Sequence, residues 1–143
     1  MKGINTKSKE DQILAFKAAS EFYEKAYRIM IRNDRHEEDD IELIEIPVCL
    51  NLALCYLKTN VFQPAIRYCT MAIEQIGRSQ EFSISNAAKH EKAYFRRAQC
   101  FFAESDFDKA RADAKQCIVI SLKLGTSSIE ATNLLKAIDK KEK

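Results

Sequence analysis

The sequence predicts an all-α domain built from antiparallel helical hairpins that repeat along the chain. Only three glycines and two prolines occur in 143 residues, so long stretches run without a helix breaker. Hydrophobic residues make up 46% of the chain and charged residues 31%, which suits one domain with a sizeable core. The third observation is internal similarity, which is the usual sequence signature of a repeat architecture.

Three similar segments read FKAASEFYEKA at 16–26, FQPAIRYCTMA at 62–72 and FDKARADAKQC at 107–117. Each begins with phenylalanine and places alanine, cysteine or tyrosine at offsets of three, four and three from the preceding position. These offsets keep all four residues on one face of a helix. Because most of them are small, a neighbouring helix should approach this face closely.

A second matched pair precedes the last two segments, CLNLALCYLKTNVF at 49–62 and YFRRAQCFFAESDF at 94–107. Ala53 corresponds to Ala98, and the turns KTNV and ESDF fall at the same place. Each unit is therefore predicted to be two antiparallel helices joined by a tight turn.

We expect a single domain, with Gly125 ending one helix and Thr126 or Ser127 capping the next. Its predicted parts are a partial first repeat at 1–33, a second repeat at 41–78, a third repeat at 84–122 and a capping helix at 127–141. In the first repeat, alignment back from Phe16 puts Lys7 and Glu10 where a small and an aromatic residue should stand. A shifted first helix, swapping and dimerisation stay open.

Three polar residues share one phase of the predicted repeats. Asn51 lies two residues before Ala53, Arg96 lies two residues before Ala98, and Lys92 is one helical turn before Arg96. An arginine fork, a lysine and an amide suit a carboxylate ligand, whereas the alternative is two solvated cations and a local backbone cap.

The neighbouring positions complete the predicted groove. Arg97 matches Leu52, so its stem should pack on a neighbouring helix while its head reaches solvent. Residues predicted to line the groove are Leu50, Leu54, Lys58, Phe95 and Gln99. For the apolar members the alternative is inter-helix core, and for Lys58 it is a solvated lysine.

The motifs LNLALCYLK and KAYFRRA resemble those in tetratricopeptide repeat (TPR) domains of co-chaperones, particularly the FKBP-type immunophilins and the aryl hydrocarbon receptor-interacting protein group. The resemblance covers residues 16–122 and implies a right-handed TPR superhelix. It also implies that Asn51, Lys92 and Arg96 belong to a carboxylate clamp for the C-terminal EEVD peptide of heat-shock protein 90 or 70.

This chain departs from the family in the other half of the clamp. The expected Lys-x-x-Gly-Asn motif is represented only by MKGIN, whose Lys2 and Asn5 are out of register with Phe16. The implied clamp is therefore incomplete. The resemblance further implies that the segment follows an isomerase domain in a longer protein and is not itself an enzyme. The alternative is a scaffold that binds an unrelated peptide or forms a homodimer through the incomplete first repeat.

Other function classes lack a supporting pattern. A net charge of +2 gives no field that would select nucleic acid or a membrane. Five cysteines without CxxC pairing predict buried, reduced thiols in a cytoplasmic protein. Neither His36 nor His90 has a partner at metal-ligand spacing, and the acidic segment HEEDDIELIE is most simply a solvated connection. We predict no metal and no cofactor.

Overall fold

The computed structural model describes residues 8–32, 44–78 and 82–142, and these residues form six helices and no strand. The helices are α1 (Lys9–Arg32), α2 (Ile46–Lys58), α3 (Phe62–Arg78), α4 (Ile84–Ala103), α5 (Phe107–Lys123) and α6 (Ile129–Glu142). Every helix packs on its neighbours in chain order, from α1 on α2 to α5 on α6. Helix α4 also contacts α2 and α6. The predicted all-α fold of repeated helical hairpins is confirmed.

The two predicted tight turns have the same geometry, 45 residues apart. Asn60 has φ 60° and Ser105 has φ 61°, so both adopt the left-handed conformation. The amide of Asn60 donates to the carbonyl of Leu57 at 3.1 Å, and the amide of Ser105 donates to that of Phe102 at 3.0 Å. The same backbone bonds therefore close both hairpins.

The small residues of the second and third repeated segments form the inter-helix core. Ala65, Cys69 and Ala72 are fully buried in α3, as are their counterparts Ala110, Ala114 and Cys117 in α5. Ala53 and Ala98 are equally buried. The close helix approach that their size predicts is confirmed in these two hairpins. The matching residues of α1 are only partly buried.

Helix α1 is continuous from Lys9 to Arg32, so Glu10 belongs to the same helix as Phe16 and not to a separate preceding one. Its anchor is Glu24, whose carboxylate accepts hydrogen bonds from Tyr56 at 2.8 Å and Tyr68 at 2.7 Å. These two phenol rings stack on each other. One carboxylate thereby ties α1 to both helices of the next hairpin.

Helix ends follow local chemistry. Gly125 has φ +74° and follows α5, as predicted. The cap of α6 was predicted wrongly, because Ser128 accepts the hydrogen bond from the Ala131 amide at 3.2 Å, one residue beyond Ser127. Ser83 caps α4, which begins at Ile84, the first residue of the predicted third repeat.

All five cysteines are free and buried, as predicted. Burial raises the pKa of each thiol, to about 12 for Cys49, Cys100 and Cys117. Lys2, Asn5, Lys7, His36 and most of the acidic segment lie outside the described residues. Within the described ranges, no helix has the length and apolar character needed to cross a membrane.

Candidate functional site

A cleft of about 470 Å³ opens between α2, α4 and the start of α6. It is of the size in which proteins commonly bind small ligands or short peptide segments. Its lining comes mainly from one face of α4 and the last turns of α2. The lining residues are Leu54, Leu57, Lys58, Ala88, Glu91, Lys92, Phe95, Arg96, Gln99, Ser128 and Glu130.

Three cations meet in this cleft, Lys58 from α2 and Lys92 and Arg96 from α4. Lys92 and Arg96 share a face because they are one helical turn apart. Among residues 8–32, 44–78 and 82–142, no carboxylate lies within ion-pair distance of any of the three. Their mutual repulsion is therefore not offset by an acidic partner in the described part of the chain.

The environment of Arg96 is the most informative. Its Nη1 donates to the backbone carbonyl of Leu50 at 2.7 Å, which fixes the guanidinium against α2. Burial lowers its pKa, an effect that the nearby thiols of Cys69 and Cys55 oppose. A half-buried guanidinium with only a neutral acceptor would gain free energy from an anion in the cleft.

Arg97, the next residue, has the opposite arrangement. Its Nε and Nη2 donate to the two carboxylate oxygens of Asp113 on α5 at 2.7 and 2.8 Å, and Nη1 donates to Thr70 on α3 at 3.1 Å. The guanidinium also lies over the rings of Tyr94 and Phe101. The prediction that its head reaches solvent is wrong, because Asp113 holds it between the helices.

Of the residues predicted for the groove, Leu54, Lys58, Lys92, Phe95, Arg96 and Gln99 line the cleft. Leu50 does not, because it is 5% exposed and belongs to the core between α2 and its neighbours. Asn51 is half-buried on α2 and does not line the cleft either. The structure brings the lysines and the arginine together without the asparagine.

Sequence reasoning missed the acidic wall of the cleft. Glu91 and Glu130 line it, together with Ser128 at the start of α6. Glu91 was detectable, because it lies one helical turn before the predicted groove residue Phe95. Glu130 was not, because its position depends on how α6 folds back towards α4. The cleft combines three cations with two carboxylates, and in the described residues it holds no cluster of metal ligands.

The fold and the cleft define the class of structure. It is an array of helical hairpins with a mixed-charge cleft between α2, α4 and the start of α6. No family model matches the chain, and no solved structure matches it significantly. Curated proteins do match part of it. It is 33% identical over 82 residues to peptidyl-prolyl cis-trans isomerase FKBP4 of Mus musculus, covering 57% of this chain and 16% of that protein.

Two further relatives carry the same isomerase name. Bos taurus FKBP4 is 38% identical over 69 residues, or 48% of this chain and 13% of that protein. Peptidyl-prolyl cis-trans isomerase D of Mycosarcoma maydis is 30% identical over 118 residues, or 72% of this chain and 30% of that protein. The chain thus spans less than a third of the length of each of these relatives.

Proposed function

We propose that this chain is a TPR-type adaptor domain that binds the free C-terminus of a peptide. The preferred ligand is the acidic EEVD tail of heat-shock protein 90 or 70. The observation that carries the proposal is Arg96, a half-buried guanidinium in the cleft with no described carboxylate partner, one turn from the equally unpaired Lys92.

The chemistry of the cleft suits a carboxylate. Arg96 uses one N–H on the Leu50 carbonyl and keeps further donors for a ligand, in the planar arrangement that matches a carboxylate. Lys92 adds a mobile ammonium on the same face, and Lys58 adds another from α2. A terminal carboxylate and the side chain of a terminal aspartate would together need such a set of donors.

The remaining lining sets the direction of the peptide. Leu54 and Phe95 offer an apolar wall for the valine that precedes the terminal aspartate. Glu91 and Glu130 would repel the two glutamates, so the peptide should leave the cleft away from α6. Asn51, which lies on α2 outside the cleft, would then be available to a ligand that runs along that helix.

This chain is similar to part of FKBP4 and part of isomerase D, and both of those proteins are several times longer than the matched region. The similarity supports assigning the chain to one segment of such a longer protein. We infer that the chain supplies the helical adaptor part of such a protein, without isomerase activity of its own, and that the parent protein acts with chaperones in the cytoplasm.

A second candidate follows from the two carboxylates in the cleft. Glu91 and Glu130 favour a peptide that carries a lysine or arginine a few residues before its C-terminus, which EEVD does not. In that case the domain is a scaffold for an unrelated partner.

Fluorescence-anisotropy titrations with a labelled EEVD-ending peptide test the proposal. C-terminal amidation, Lys92→Ala and Arg96→Ala should each weaken binding roughly 10- to 100-fold, the range expected for one lost charge-assisted contact. Lys89→Ala is the matched control, because Lys89 lies on the same helix outside the cleft lining and should leave affinity unchanged.

Equal affinity for the free and amidated peptides would show that the domain does not recognise the terminal carboxylate. Tighter binding of a peptide with a basic residue near its free C-terminus, lost on Glu130→Gln, would instead favour the second candidate.

A further inference from the structure

An apolar stripe runs along α1 on the side opposite its core contacts. Leu14 is 62% exposed, Phe22 is 70% exposed and Ile29 is 58% exposed, with exposed Ala18 between the first two. The buried residues of this helix, Ser20 and Tyr27, face the other way. The stripe is thus a second packing face, which none of the described helices covers.

The stripe is self-complementary about Ala18, with an apolar side chain at equal spacing on either side and charges of opposite sign further out. Leu14 lies four residues before Ala18 and Phe22 four after it, while Asp11 lies seven before and Lys25 seven after. Offsets of four and seven keep all these residues on one helix face. Asp11 and Lys25 are exposed, and neither forms an ion pair within the described ranges.

We propose that this face binds a second copy of the chain, with the two α1 helices antiparallel and crossing at Ala18. In that arrangement a residue n positions before Ala18 faces the residue n positions after it in the partner. Leu14 then packs on Phe22 of the other copy, and Asp11 pairs with Lys25, each contact occurring twice by the two-fold symmetry.

The small side chain at the crossing point permits the approach. Two alanines facing each other allow the helix axes to come within about 8 Å, at the close end of the usual range. A parallel arrangement would instead place Asp11 against Asp11 and Lys25 against Lys25, which is repulsive. The equal spacing on either side of Ala18 is the reason for assigning the face to an identical helix, and charge complementarity selects the antiparallel direction.

The face offers a single stripe of four apolar side chains, so we expect a weak dimer. Neither Lys92 nor Arg96 belongs to it, so dimerisation should not depend on peptide binding. Sedimentation velocity over a concentration series should show a shift from monomer to dimer. Phe22→Glu should weaken dimerisation at least tenfold. Leu122→Glu is the control, because Leu122 is 68% exposed on α5, outside this face, and should leave the dimer intact.

Two experiments test the register directly. Asp11→Lys alone should weaken dimerisation, since it sets two cations against each other, and adding Lys25→Asp should restore it. Under mild oxidation, Ala18→Cys should form a covalent dimer because equivalent residues meet at the crossing, whereas Leu14→Cys should not.

Several outcomes would overturn the proposal. These are a monomer at every concentration, equal effects of Phe22→Glu and Leu122→Glu, or failure of the double charge exchange to restore what the single exchange lost. Circular dichroism of each variant confirms that α1 is folded, so a monomeric variant reports on the interface.

Discussion

The ion pair between Arg97 and Asp113 allows us to predict how much stability the protein loses when the carboxylate is removed. The side chains are 19% and 7% exposed, and two charge-assisted hydrogen bonds join them. Asp113→Ala leaves the guanidinium buried without its anion, a change that costs about 3–5 kcal/mol in proteins. Because Arg97 keeps Thr70 and the rings of Tyr94 and Phe101, we expect the lower end, about 3 kcal/mol.

Urea unfolding followed by circular dichroism measures this loss. With a denaturant dependence of about 2 kcal/mol per molar, the midpoint should fall by about 1.5 M. Asp108→Ala is the matched control on the same helix, since that carboxylate is 94% exposed and its pair with Arg111 at 3.4 Å contributes less than about 0.5 kcal/mol.

Replacing both partners, Arg97→Met with Asp113→Leu, should recover most of the lost stability because no charge stays buried alone. The reasoning is refuted if Asp113→Ala lowers the midpoint no further than Asp108→Ala. A double variant as unstable as the single one would also count against it.

Two further predictions concern pH and backbone conformation. Burial, with Arg97 and Lys123 nearby, lowers the pKa of His90 from 6.5, and its buried Nε2 has no hydrogen-bond partner among the described residues. The unfolded chain therefore binds a proton first, so the free energy of unfolding should be fully retained above pH 6.5 and fall on acidification below it. Urea titrations on either side of this pH should show a flatter dependence in His90→Gln, and an unchanged slope would contradict the assignment. Ser105 has φ 61°, so Ser105→Gly should stabilise the protein by about 0.5–1 kcal/mol. Asn60→Gly should gain less, because asparagine tolerates this conformation, and a lower melting temperature for Ser105→Gly would show that its side chain contributes more than the strain costs.

The repeats were predictable because their signal is local. Phenylalanine, two alanines and a cysteine at helical spacing specify the buried face of α3 without knowledge of its neighbours. The extent of the first helix was harder to predict, because the repeat alignment requires a separate helix to end before Phe16. The segment KEDQILAF contains no glycine or proline, and Glu10 and Asp11 suit a helix N-terminus. Local helix preference therefore prevailed over the repeat register.

The candidate site was predictable only within one helix. The spacing of Lys92 and Arg96 places them together whatever surrounds them. The state of Arg97 depended on Asp113, which lies 16 residues away on α5 and meets it only because small residues on that helix bring it close to α4. Similarly, Leu50 and Asn51 lie about one helical turn before the lining residue Leu54, but Leu50 is buried in the core and neither residue lines the cleft.

The position of α6 has a consequence for how this cleft could vary. Ser128 caps α6 and Glu130 lies in its first turn, and α6 packs on α5 and α4 as the first helix of a further hairpin would. The cleft therefore owes one wall, and part of its negative charge, to α6. Splicing a further hairpin in front of α6 would move that wall one unit along and leave Lys92 and Arg96 facing whatever residues the new helix brought. Ligand preference in such a chain could change through the length of the array alone, with every residue of α2 and α4 kept.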